Sequence, residues 1–353
     1  MPSQVCHLIF AEDALRQALG RVAQRILEER GNIFRFGAQG PDFFYHNQRT
    51  RPTGLKFGVS AHRQHYGKLV ANMIRELRRL EVKGQEDLPL IKAYILGFCT
   101  HSFLDKKAHP FIDYFAGWVE AEREETEKFF RSHIFLERIL DVLMLERKRS
   151  LSIRELDLPL LLNCGPRLPY GIIKTLVKSL HRTYPDTHFK SRDRRRVENA
   201  YRDCMSFYAF IDPLKPHYRR LAYELDRNSA ENRRRLALFH PYELPEHLDF
   251  LNLEHRSWTH PCNREWRHNE SFPELFDQAL EEAVPAVAEI ARILEGEGEA
   301  DRAEALLGNQ SLGTGLNWQD NHKLLYNDPL PLPELLDRMY REFSESPAAG
   351  RHV

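Results

Sequence analysis

The sequence predicts an all-α protein. Three observations carry this: apolar residues recur at helical spacing in segment after segment, no stretch sustains the alternation of a strand, and no hairpin signal occurs. The first helix is expected over residues 10–30, where Ala14, Leu15, Ala18, Val22, Ile26 and Leu27 repeat with helical period and Gly31-Asn32 reads as a stop. A tight loop follows at Gly37-Ala38-Gln39-Gly40-Pro41-Asp42, because two glycines and a proline punctuate it. A second helix is expected from about Ser60, carrying both His62 and His65. A third covers residues 88–109 and ends near Pro110, and a charged helix covers 119–149.

Beyond Ser150 the prolines at 159, 166 and 169 predict a loop, after which 170–180, 194–210, 215–228 and 271–296 again show helical spacing. The Trp258-Thr259-His260-Pro261 segment and residues 297–327 read as loops, and the tail 344–353 as frayed. The basic runs at 192–196 and 233–235 read as solvated helix faces. The chemistry concentrates in residues 1–150, so these form the expected catalytic core. Residues 151–353 form a helical C-terminal region packed on it.

Composition narrows the function. Lys plus Arg and Asp plus Glu both total 51 in 353 residues, so no overall field favours nucleic acid or an anionic membrane. The five cysteines are scattered without a CxxC pair, which fits reduced thiols rather than a disulfide framework. No signal peptide is read at the start and no apolar run is long enough to span a membrane, so a cytoplasmic protein is expected.

The stretch Gly97-Phe98-Cys99-Thr100-His101-Ser102-Phe103-Leu104-Asp105-Lys106-Lys107-Ala108-His109-Pro110 places His101, Asp105 and His109 four residues apart. On a helix they share one face, so a central carboxylate can bridge ions held by imidazoles on either side. His133 and Glu137 repeat the spacing, with Asp141 one turn on. Together with His7, Asp42 and His62 these form a nitrogen and oxygen donor set without thiolate, which suits zinc in open, catalytic coordination.

The stretches GAQGPDFFYH, SAHRQHYGKL, GFCTHSFLDKKAHPF and SHIFLERILD carry these residues in an order that resembles the zinc-dependent phospholipase C family. More distantly they resemble the single-strand-specific nucleases that share a trinuclear zinc site. The resemblance implies a multi-helix phospholipase C/P1 nuclease-like fold holding two to three zinc ions. It implies one zinc on Asp42, His62, His101 and Asp105, a second on His109, His133 and Glu137, and a third on His7 with Asp105 as the bridge. It favours His62 over His65, makes Asp42 the acceptor of a proton from the attacking water, and leaves His46 and Asp141 as outer partners. Removal of Met1 would expose the Pro2 nitrogen as a further ligand to the third zinc.

The expected activity is phosphodiester hydrolysis by metal-activated water. Its substrate would be a small phosphodiester or a phospholipid, met by peripheral contact with a membrane. Two other functions compete. A nuclease would need base-stacking aromatics beside a basic groove, which the sequence does not display. A non-catalytic zinc protein would use the metals only to hold helices together.

Overall fold

A computed structural model describes residues 4–187, 192–229, 233–320 and 322–345. The fold is all-α: 67% of the chain is helical, with a single two-stranded hairpin among the described residues. In chain order the helices are α1 (Gln4–Leu19), α2 (Arg21–Ala38), α3 (Leu55–Arg63), α4 (Tyr66–Val82), α5 (Leu88–Ala116), α6 (Ser132–Arg149) and α7 (Leu158–Leu162). They continue with α8 (Tyr170–Thr183), α9 (Asp193–Phe210), α10 (His217–Arg227), α11 (Phe272–Leu294), α12 (Ala300–Leu307) and α13 (Leu332–Glu345).

Several boundaries differ from expectation. The first expected helix is two, broken at Gly20, whose φ of 53° favours glycine. Gly31 does not stop α2; the chain deviates at Arg30 (φ −141°) and resumes its helix to Ala38, because Ile33, Phe34 and Phe36 gain a buried face. The expected second helix is also split. His62 lies on α3, whereas His65 sits between α3 and α4 with φ 61°. Pro110 lies inside α5, which runs on to Ala116 with Phe111, Ile112 and Phe115 buried. The charged segment forms a short 3-10 turn (Glu124–Phe129) before α6 begins. Residues 297–327 include α12, and the Trp258 segment is a strand, β1 (Trp258–His260), antiparallel to β2 (Asn263–His268). Of the tail expected to fray, residues 346–353 lie outside the described residues.

The chain forms two compact units, each assembled from three segments. The first comprises residues 1–110, 158–209 and 272–323; the second comprises 111–157, 210–271 and 324–353. Residue 150, the expected division, therefore falls within a segment of the second unit.

In the first unit α1 packs on α2 and α11, and α4 packs on α8 and α12. Helices far along the sequence thus wall the ones that carry the chemistry. Phe10 meets Phe276 edge to face, with ring centres 5.2 Å apart. Where α2 crosses α5 the backbones touch at glycines. A Cβ on Gly97 would lie 2.0 Å from the Phe34 carbonyl oxygen, and one on Gly37 would lie 2.4 Å from that of Tyr94. This close approach brings His101, one turn beyond Gly97, to the end of α2 and to the 3-10 turn Asp42–His46 that follows it.

In the second unit α6 packs on α13 and on the 3-10 turn Arg235–Leu238, which also meets α10. Trp258 packs edge-on against Phe111, with ring centres 5.7 Å apart. Arg138 and Asp141 of α6 are fully buried; Arg138 Nε donates to the Leu238 carbonyl, and His240 Nε2 lies 2.9 Å from Asp141 Oδ2. Asp141 is thus held by Arg138 and His240.

Candidate metal centre

Four elements of the first unit converge on Asp105. His7 comes from α1, Asp42 from the 3-10 turn after α2, His62 from α3, and His101, Asp105 and His109 from α5. The two oxygens of Asp105 face different histidines: Oδ1 is 3.0 Å from His7 Nε2, and Oδ2 is 2.9 Å from His101 Nε2. Asp42 Oδ1 is 2.8 Å from His62 Nε2, and Asp42 Oδ2 is 3.6 Å from His101 Nε2. The rings of His7 and His101 stack with centres 4.2 Å apart. Two overlapping groups, His7–His101–Asp105 and Asp42–His62–His101, each bring their donor atoms within 4.8 Å of one another, close enough to share a metal ion.

Whether these residues fit a metal can be tested on the atoms themselves. Asp42 Oδ2, His101 Nε2 and Asp105 Oδ2 are sealed from solvent and have no hydrogen-bond partner among the described residues. His101 Nε2 and Asp105 Oδ2 are near enough to hydrogen-bond at 2.9 Å but are not aligned to do so. Leaving one buried polar atom unsatisfied costs about 1–3 kcal/mol. A divalent cation would satisfy all three at once, and the donor set is one that zinc accepts.

Ring orientation points the same way. His62 Nδ1 lies 2.8 Å from the Gly58 carbonyl oxygen, His101 Nδ1 lies 3.2 Å from that of Ala38, and His109 Nδ1 lies 3.0 Å from that of Leu312. A carbonyl only accepts, so Nδ1 carries the proton and the neutral ring presents Nε2 as a lone pair. Space for the His101 ring depends on Gly40 (φ 55°), where a Cβ would lie 2.3 Å from His101 Cγ.

The electrostatics suit ligation. Burial works to raise the Asp105 carboxyl, but His101, His109 and His7 outweigh it and hold it well below the usual carboxylate range. Burial likewise opposes the charge on Asp42, and His101 and His62 overcome it. Burial depresses His101 despite Asp105 and Asp42, keeping the ring neutral. For His62 burial is outweighed by Asp42 and Asp105, which raise it.

His133 and Glu137 belong to the second unit, where they face each other across one turn of α6, with His133 Nε2 3.1 Å from Glu137 Oε1. His133 Nδ1 lies 2.8 Å from Asp113 Oδ1. Burial disfavours the charged ring, yet Glu137 and Asp113 push His133 up to about 9. Three other residues singled out in the sequence lie apart from these groups or beyond the described residues. His65 stands apart, edge-on to the Trp318 ring. His46 is buried against Phe207, its ring stacked with centres 4.2 Å apart. Pro2 lies outside the described residues.

Sequence reading missed Asp113, although it continues the four-residue spacing of His101, Asp105 and His109. It also missed Tyr45, whose hydroxyl is 3.4 Å from His62 Nδ1, and Leu312, whose role is carried by backbone atoms that no side-chain pattern reports.

Comparison with known proteins matched the family described as zinc dependent phospholipase C over residues 6–191. No curated protein and no solved structure matched. The matched span exceeds half of the 353 residues and contains every residue of the cluster around Asp105. The chain belongs to the zinc-dependent phospholipase C family.

Proposed function

We propose that this protein is a phospholipase C-like phosphodiester hydrolase. The observation that carries this reading is the Asp105 carboxylate, buried and presenting one oxygen to His7 and the other to His101. A carboxylate so divided is built to bridge two cations. In this reading Asp42, His62, His101 and Asp105 hold one zinc, and His7 and Asp105 hold another. His109 with His133 and Glu137 are assigned to a further one, on the sequence pattern and on the ring orientation that each half shows by itself. Two to three zinc ions per chain follow. Bound zinc would supply electrostatic stabilisation of the phosphoryl oxygens and lower the pKa of water to about 7.

The chain's own residues would do the rest. Against burial, His101 and His62 hold the Asp42 carboxyl below its ordinary value, so it favours the carboxylate that would receive the proton of the attacking water. His62, its ring fixed by Gly58, brings Nε2 to within 2.8 Å of the other Asp42 oxygen, so the two donors can share one cation. As the water oxygen joins phosphorus, the phosphorus–oxygen bond to the leaving alcohol breaks, and that alcohol takes up a proton.

The test is turnover of a p-nitrophenyl phosphodiester, a p-nitrophenyl phosphocholine ester and a phospholipid panel by zinc-loaded protein, with a chelator control. Hydrolysis of one of them, lost on chelation and restored by zinc, is expected. Zinc binding that raises thermal stability without turnover of any of them would favour a purely structural metal centre instead.

A nuclease would need open base-stacking aromatics beside its arginines, and Tyr114, Trp118 and Tyr326 near Arg264 and Arg267 are half-buried. Chelator-sensitive cleavage of single-stranded DNA, in preference to those esters, would move the substrate to nucleic acid.

A further inference from the structure

The second unit carries a basic surface that the hydrolytic chemistry does not use. Two cavities, of about 670 and about 780 Å³, share Lys128 in their walls. The first is lined by Arg123, Lys128, Arg264 and Arg267, and the second by Lys128, Arg131, Arg233 and Arg234. Three acids also line them. Glu120 and Glu125 are both taken up by Arg123 at 2.9 Å, which leaves Glu127. Arg234 is buried and turned to Asp337 and the Lys128 carbonyl, which corrects the expectation that 233–235 is a solvated helix face.

The remaining cations exceed the remaining acid on a chain whose formal net charge is zero. Arg264 and Arg267 project from β2 into solvent. Arg131 has a guanidinium nitrogen shut from solvent with no hydrogen-bond acceptor among the described residues. The nearby Asp226 is engaged by Arg235 and Tyr340. A buried cationic donor of this kind gains from an incoming anion.

Exposed apolar side chains line the same cavities: Leu325 at 61%, Val119 at 44% and Phe130 at 42% exposure. Two of these three are aliphatic, whereas Tyr114, Trp118, Phe129 and Tyr326 are half-buried. Nucleic acid gains from open aromatic faces and little from leucine or valine. A bilayer with anionic head groups gains from both the cations and the aliphatic chains.

We propose that this face of the second unit docks the protein on an anionic phospholipid bilayer, with Lys128, Arg131, Arg264 and Arg267 against phosphate groups and Leu325, Val119 and Phe130 entering the interface. The choice of a bilayer as occupant leans on the phospholipase reading; the surface itself does not.

The test is co-sedimentation of the zinc-loaded full chain with vesicles of phosphatidylcholine alone or mixed with phosphatidylglycerol. Binding should favour the anionic vesicles and weaken with salt. Lys128→Gln/Arg264→Gln/Arg267→Gln should weaken it about fivefold per charge and on the order of a hundredfold in all. The charge-retaining Lys128→Arg/Arg264→Lys/Arg267→Lys should bind as the parent does. Equal binding to neutral and anionic vesicles, or undiminished binding by the glutamine variant, overturns the proposal. So does tighter binding to single-stranded DNA than to anionic vesicles, which would make nucleic acid the occupant. Vesicle binding by a protein that turns over neither the soluble esters nor any phospholipid of the panel supports the docking face and sinks the hydrolase reading alone.

Discussion

Asp113 holds His133 by its Nδ1, at 2.8 Å, and so aims the opposite ring nitrogen at Glu137. A histidine steadied in this way is a better metal ligand, because the carboxylate fixes its tautomer and raises its basicity. Asp113→Asn keeps an acceptor but removes the charge. Zinc affinity at that site is expected to fall by about ten- to a hundredfold, read by competition with a chromogenic chelator. Unchanged affinity would show that Asp113 serves packing alone.

Asp105→Asn should cost more than that. Its two oxygens face His7 and His101 separately, so the substitution touches both groupings of ligands at once. Zinc content by elemental analysis and turnover should drop together, the latter beyond the roughly hundredfold that loss of an outer partner costs. Retention of full zinc content would end the bridging assignment.

His62 and His65 stand three residues apart, and only His62 reaches Asp42. His62→Ala should lose metal, while His65→Ala should keep both metal and turnover. Equal losses from the two would reverse the assignment.

Gly40→Ala tests the crowding at His101. A methyl there meets the His101 ring at 2.3 Å on a backbone with φ 55°. Gly84 has a comparable φ of 67° but nothing within 4 Å, so Gly84→Ala reports the backbone strain by itself, roughly 1–2 kcal/mol. Gly40→Ala should cost a further 1–3 kcal/mol or so from overpacking, with loss of zinc. Denaturant midpoints of the two variants make the comparison.

His240 supplies a pH dependence. Burial lowers its affinity for a proton, and the neighbouring Arg138 adds to this against the pull of Asp141. Its folded-state pKa therefore lies below its unfolded value, near 6.5. Above that pH both states are neutral and nothing changes; as pH falls through it, the unfolded chain gains a proton that the folded protein refuses. Stability should decline on acidification, by at most about 1.4 kcal/mol per pH unit from this residue. His240→Gln should decline less over the same range in urea titrations at several pH values. Parallel curves would remove His240 as the cause.

How much of this could be read in the sequence follows from which interactions are local. Spacings of four along one helix are local, so the shared faces of His101, Asp105 and His109, and likewise of His133 and Glu137, were legible. Asp42 was legible because Gly40 and Pro41 mark the turn that presents it. Helix ends were not: tertiary burial carried α2 past Gly31 and α5 past Pro110, overriding local stop signals. The weak hairpin alternation of β1 and β2 was hidden by its shortness. Nor could the sequence disclose the basic face, whose residues are brought together from segments around 120–131, 233–234 and 264–267.

Leu312 makes the timing of assembly a property of this protein. Its amide donates to the His62 carbonyl at 2.7 Å, and its own carbonyl accepts a hydrogen bond from His109 Nδ1–H. Two proposed ligands are therefore clamped by one residue encoded 250 positions downstream of His62 and 203 downstream of His109. A nascent chain that has emerged through residue 150 already carries every histidine and carboxylate of the centre, yet lacks the clamp and the α8, α11 and α12 walls. On the proposed assignment, metal capture in this geometry would await nearly complete synthesis, and the early chain would be the looser chelator. A fragment ending at residue 297 should accordingly bind zinc without the ordered ring resonances of the intact protein.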